Sequence, residues 1–316
     1  MTERQKGVAA LIVACTIWGL SPIYYKALAG VGPLEVLSHR TLWSVVVFGL
    51  VLAWQRRLAE VWPLLRGREA GIVLLGALMI SVNWYVFIRS IQLGQAVEAS
   101  LGYYIFPLVA VVIGVLAFGE RLSPGQAGAI ALAGLAVGVL TWGLGVAPWV
   151  ALLLAVTFGI YGMIKKRLSA GPVVAVTAEV VLLAPLAVLW LISLHSGLGA
   201  GWIPADATSP GGHFGTGLSV SLLLAFAGLL TAVPLMLFSY AARRVTMATF
   251  GLTQFLNPTL QFLCATLLFR EPFSPWHMLA FALIWVAVLL YSAETLRRAR
   301  VSRLPSNVGT SASTLT

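Results

Sequence analysis

The chain has 316 residues, of which 59% are hydrophobic and only 9% charged. Soluble domains carry roughly 25% charged residues, so this composition excludes a soluble globule and reads as a polytopic membrane protein. The formal charge of +10 would suggest nucleic acid in a soluble protein, but here the basic residues sit in short segments between apolar runs, where positive charge sets topology.

A membrane-spanning helix needs about 20 mainly apolar residues. Ten such runs are predicted, at 8–28, 34–54, 70–90, 96–118, 125–142, 148–165, 173–194, 218–239, 247–269 and 276–295. The first is too long for the apolar segment of a cleaved secretory signal and carries Trp18, Pro22, Tyr24, Tyr25 and Lys26 in its second half, so it is kept as a span. With the N-terminus inside, the inner segments hold Arg4, Lys6, Arg56, Arg57, Arg66, Arg68, Arg121, Lys165, Lys166, Arg167, Arg243, Arg244, Arg297, Arg298, Arg300 and Arg303, while Arg270 alone falls in an outer loop. This bias places both termini in the cytoplasm of a bacterial inner-membrane protein. The long connection at 196–216, rich in Gly, Pro and Ser and free of Lys and Arg, fits an outer loop. Cys15 and Cys264 lie inside apolar runs and read as core packing.

The stretch around Pro107 returns near the other end of the chain. Setting Pro107 on Pro258 also sets Glu120 on Glu271, Ser123 on Ser274 and Pro124 on Pro275, with no gap. Trp18-Gly19 likewise matches Phe158-Gly159, Lys26 matches Lys166, and Pro33 matches Pro172, which brings Arg40 opposite Glu179. The expected organisation is two five-helix units, at 1–145 and 146–298, followed by a disordered basic and polar tail at 299–316. Five crossings are an odd number, so the second unit is inverted relative to the first. Inverted repeats are a recurring build of secondary transporters.

Several short motifs carry a family resemblance. They are Ser38-His39-Arg40 with Trp43-Ser44, Asn83-Trp84, Leu101-Gly102-Tyr103 followed by Pro107-Leu108, Glu120-Arg121-Leu122, the Gly228 to Leu235 run with Thr231 and Pro234, and Asn257-Pro258-Thr259. Together they resemble the RarD branch of the EamA-type drug/metabolite transporter superfamily, over nearly the whole chain. The resemblance implies a ten-helix inner-membrane permease without a nucleotide-binding domain. One departure is Phe106, which stands where the RarD pattern usually has Asn.

Ionisable groups inside a membrane are costly and mark sites by default. Arg40 falls about two turns into the second run, with His39, Trp43 and Ser44 near it on the helix surface. They read either as a cationic and aromatic wall for an anionic or zwitterionic substrate, or as a structural ion pair or snorkelling side chain. Glu179, at the inverted position, is a coupling candidate that would load a proton, or else a helix-to-helix hydrogen-bonding group. Gln254, Asn257 and Gln261 follow i, i+3, i+7 spacing and would share a face of the ninth run, where amides facing lipid are costly. Trp18, Ser21 and Tyr25 mark a similar face on the first run. Asn83 and Trp84 on the third, and Tyr103 and Tyr104 on the fourth, complete the candidate substrate-binding set, although aromatic stripes also serve packing.

Gly134 and Gly138 form a small-xxx-small face, read as helix packing first and homodimer contact second. No Ser/His/Asp grouping, metal-ligand motif, cofactor fingerprint or paired carboxylates appear in the sequence, so no catalytic residue is assigned. The leading expectation is a secondary transporter of a small amphipathic metabolite or drug-like molecule working by alternating access, with a lipid or lipid-linked carrier as the alternative. Neither the first run nor its repeat partner, the sixth, holds an acid, which disfavours exchange of a lipophilic cation against protons there. The expected partners are a small molecule and membrane lipids.

Overall fold

The computed structural model describes residues 1–119, 122–196 and 212–301, and among them every regular element is helical. In chain order the helices are α1 (Glu3–Ala27), α2 (Pro33–Trp54), α3 (Val61–Arg66), α4 (Ala70–Gln92), α5 (Ala96–Phe118), α6 (Pro124–Leu144), α7 (Trp149–Arg167), α8 (Pro172–Ser196), α9 (Leu218–Ala242), α10 (Met247–Gln254), α11 (Leu256–Leu263) and α12 (Pro275–Val301). Nine of them, all but α3, α10 and α11, are long and apolar enough to cross a membrane. The part of the expected tail beyond Val301 lies outside the described residues, as do Glu120, Arg121 and most of the long connection before α9.

Local chemistry sets the helix starts. Thr2 caps α1 and Ser123 caps α6, each in a reciprocal capping box with the Gln three residues on, which satisfies two orphan donors at once. Four helices open on a proline, Pro33, Pro124, Pro172 and Pro275, where the missing N–H costs nothing and the fixed φ suits the first turn. Pro33 matches Pro172 and Pro124 matches Pro275 in the repeat, so equivalent helices start on equivalent prolines.

The ninth apolar run is not one helix. Pro258 has no N–H to give the carbonyl four residues back, so the ladder opens at Phe255 between α10 and α11. The run then ends in a π-turn, Cys264–Leu268, where the Phe269 N–H reaches the Cys264 carbonyl at 2.8 Å. The helices containing Pro22, Pro107, Pro185 and Pro234 continue through those residues.

Contacts between helix ends define two ends of the bundle. At the end holding the N-terminus, Glu3 pairs with Arg244 at 2.9 Å and Ser169 donates to Glu69 at 3.2 Å. We call this the basic end, because Arg4, Lys6, Lys166, Arg167 and Arg243 also belong to it. At the opposite end, Gln92 donates to the carbonyls of Leu28 and Val31. Glu271 there accepts from the Ala96 and Val97 N–H groups at 3.0 and 2.9 Å, capping the start of α5 and favouring its dipole.

Two repeat-equivalent glycines allow close helix approach inside the bundle. A Cβ on Gly19 would lie 2.7 Å from Leu260 Cβ, and one on Gly159 2.8 Å from Ile113 Cδ1. Thus α1 meets α11 where α7 meets α5. The outer surface is apolar, with Leu50, Leu116, Trp142, Leu189 and Leu289 exposed. Such a surface is at home only in lipid.

Candidate functional site

The α2 register turns Arg40 inward between α1, α4 and α9, where it is only 6% exposed. Its Nε donates to Thr231 Oγ1 at 2.9 Å and its Nη1 to the Tyr25 hydroxyl at 2.6 Å. The Trp84 ring covers the guanidinium at 3.8 Å, a cation–π geometry. All three partners are neutral. Among the described residues no carboxylate lies within ion-pair distance of Arg40.

Asn83 is fully buried. Its Nδ2 donates to the Leu154 carbonyl at 2.9 Å and to Thr157 Oγ1 at 3.0 Å, while its Oδ1 accepts from the Tyr103 hydroxyl at 2.9 Å. Both donors of the amide are therefore engaged by α7. A file of ring contacts continues from here. Tyr25 meets Phe87 at 5.8 Å, Phe87 meets Tyr103 at 5.6 Å, Tyr103 meets Phe158 at 5.8 Å, and Phe158 meets Tyr161 at 6.1 Å.

At its other end this file reaches an ion pair. Lys165 Nζ donates to Glu179 Oε1 at 2.6 Å, the Tyr161 hydroxyl donates to Oε2 at 3.0 Å, and the ammonium lies 5.1 Å from the Tyr161 ring centroid. Glu179 is thus joined to a cation of its own unit, not to a Ser, Thr or backbone group and not to Arg40. The offset that sets Lys26 on Lys166 also sets Tyr25 on Lys165. Tyr25–Arg40 and Lys165–Glu179 are therefore the same bonded pair in the two units.

The remaining candidates divide. His39 and Trp43 do not share the Arg40 partners: both rings meet Phe214, at 4.8 and 6.4 Å, beside Glu35, which accepts from the His213 N–H and pairs with its Nδ1 at 2.6 and 2.8 Å. Trp18 packs on Phe238, and Ser21 donates to the Trp18 carbonyl of its own helix. Tyr104 turns away from Tyr103, bonding Thr259 at 2.7 Å and packing on Phe281 and Trp285. Gln261 Nε2 donates to Asn257 Oδ1 at 2.9 Å within α11, while Gln254 ends α10 on the other side of the break. Sequence reasoning did not assign Thr157, Thr231, Tyr161 or Lys165 to the site. Lys165 was legible in principle, since the repeat offset sets it on Tyr25.

Comparison with known proteins gives these features a family. The chain matches the EamA-like transporter family twice, over residues 5–142 and 146–293. It is 41% identical to protein RarD of Streptomyces exfoliatus, covering 95% of this chain and 92% of that protein. It is 36% identical to the uncharacterized transporter YojE of Bacillus subtilis, with 95% and 98% covered. The chloramphenicol-sensitive protein RarD of Pseudomonas aeruginosa is 31% identical over 95% of this chain and 98% of its own. A solved crystal structure only 18% identical superposes with a TM-score of 0.58, covering 93% of this chain and 99% of that one. With an all-helical apolar bundle and two family units in one chain, the protein belongs to the EamA-like transporter family, in its RarD branch, and is a membrane transporter.

Proposed function

We propose that the protein moves a small organic anion or zwitterion across the bacterial inner membrane by alternating access, with Arg40 as the counter-charge of the substrate. The observation that carries this reading is a buried guanidinium held only by neutral groups. Removing such a charge from water costs several kcal/mol, and Thr231, Tyr25 and Trp84 orient it without neutralising it. Nη2 makes no hydrogen bond to a described residue, which leaves the fork one donor edge for an incoming carboxylate, sulfonate or phosphate. Two family units in inverted orientation supply the alternation. Both termini are assigned to the cytoplasm, because the basic end holds most of the positive charge.

The test is flux in liposomes containing purified protein. The probes are labelled glutamate, phenyl phosphate, benzenesulfonate and leucine, with chloramphenicol as a neutral comparison. Saturable flux of an anion or zwitterion is expected, and Arg40→Ala should lose at least ten-fold at normal expression. Arg40→Lys should lose nearly as much, since a single ammonium cannot hold two partners and offer a planar edge. Undiminished flux in Arg40→Ala sinks the assignment. Scrambling of labelled lipid without flux of any soluble probe would point to a lipid carrier. A proton gradient tests the coupling role of Glu179: flux that follows the gradient in wild type and loses that dependence in Glu179→Gln supports it, and gradient-independent exchange removes it.

A further inference from the structure

We infer that Lys165 is a second anion-receiving residue, at the basic end of the ring file that begins beside Arg40, and that Glu179 is the internal carboxylate that occupies it between substrates. The inference rests on the transport reading above and adds a residue and a direction to it. Three observations carry it.

The first is equivalence. Each unit presents one cation in a bonded pair between its first and second helices, Arg40 with Tyr25 and Lys165 with Glu179, both at 2.6 Å. The cation stands on the second helix in one unit and on the first in the other, Lys165 at the position of Tyr25 and Glu179 at that of Arg40, and the partner's charge differs as well. The cation nearer the opposite end meets a neutral phenol, whereas the cation at the basic end meets a carboxylate. The second is continuity. The ring file from Tyr25 through Phe87, Tyr103 and Phe158 to Tyr161 joins the two cations with successive centroids no more than 6.1 Å apart.

The third is the unequal freedom of the partners. The Glu179 side chain is 1% exposed and that of Lys165 is 21% exposed. Glu179 is fixed from other sides, by the Tyr161 hydroxyl at 3.0 Å and by α4, where a Cβ on Gly76 would lie 3.3 Å from Oε1. Lys165 sits in the last turn of α7 on a flexible four-carbon stem. When an anion arrives, Lys165 can swing to it while Tyr161 still donates to Glu179. The ammonium exchanges one anion for another, and the buried Glu179 carboxylate, left with the Tyr161 hydroxyl alone, draws it back. Competition from Glu179 then weakens substrate binding at the basic end relative to Arg40, which favours release there.

The experiment measures KM separately at each face, in vesicles of fixed orientation, with glutamate, phenyl phosphate, benzenesulfonate and leucine as probes. Glu179→Gln should lower KM at the basic face at least five-fold, because Lys165 is no longer held by a charge. Lys165→Met alone strands a buried carboxylate, so the neutral double variant Lys165→Met/Glu179→Gln is the decisive one. It should raise KM at the basic face at least ten-fold and leave the opposite face within about two-fold. If the double variant matches wild type at both faces while Arg40→Ala abolishes flux, the pair is structural and this inference falls while the transport reading stands. Wild-type protein silent to every probe overturns both.

Discussion

Asn83 is a motif residue conspicuous in sequence whose amide is engaged by the protein's own helices. Its position beside Trp84 placed it among substrate contacts, but with its side chain fully buried its amide protons go to Leu154 and Thr157, and its oxygen takes the Tyr103 hydroxyl. One side chain therefore fastens α4 to α5 and α7. Asn83→Ala strands the Tyr103 hydroxyl and removes one donor each from Thr157 Oγ1 and the Leu154 carbonyl, which keep their contacts within α7, and should cost about 2–4 kcal/mol of stability. Tyr103→Phe strands a single acceptor and should cost about 1 kcal/mol. Thermal unfolding of the two variants in detergent checks the order, and equal midpoints would contradict it. Arg40 is the opposite case. Sequence flagged it as an ionisable group inside the membrane, and its partners are now Tyr25, Thr231 and Trp84. Thr231 lies 191 positions away, so no periodicity within α2 could have found it.

At the level of elements, the polar stripe of the ninth run was legible only as far as the helix is regular. A shared face inferred from spacing needs an unbroken 3.6-residue repeat, and Pro258 interrupts it at Phe255. The Asn257–Gln261 pair survives as an i, i+4 contact because both lie past the break. Gln254 is left on the other piece. Helix approach was half legible, since the match of Trp18-Gly19 to Phe158-Gly159 marked two glycines without saying what they touch. The neighbours now rank them. At Gly19 a methyl group would meet Leu260 Cβ and, at 3.0 Å, the Asn257 carbonyl oxygen, both close to or part of the backbone. At Gly159 it would meet the far end of the Ile113 side chain, which can rotate away. Gly19→Ala should cost about 1–3 kcal/mol through overpacking, and Gly159→Ala less than about 1 kcal/mol. Midpoints of thermal unfolding in the reverse order would show that the α1–α11 contact yields more easily than the α7–α5 contact.

For the whole molecule, composition was sufficient to read an all-helical membrane bundle, because in lipid a continuous apolar run has few ways to satisfy its backbone other than as a helix. The internal repeat supplied the correspondence of Arg40 with Glu179, but the partners each one takes, Tyr25 for Arg40 and Lys165 with Tyr161 for Glu179, depend on packing between helices, and single-chain patterns do not encode that. Orientation in the membrane follows from charge. Glu3, Arg244, Glu69 and Ser169 bring the starts of α1 and α4 and the ends of α7 and α9 to one end of the bundle, and the N-terminal Arg4 and Lys6 share it with Lys166 and Arg167. If positive charge fixes this end in the cytoplasm, a fluorescent protein fused at the C-terminus should mature and fluoresce. Alkaline phosphatase, which is active only outside the cytoplasm, should be active when fused after Ser196, where α8 ends at the opposite end of the bundle, and inactive when fused after Arg167, where α7 ends. Activity after Arg167 with none after Ser196 would invert the assignment, and Lys165 would then receive its anion from outside the cell instead of releasing it inside.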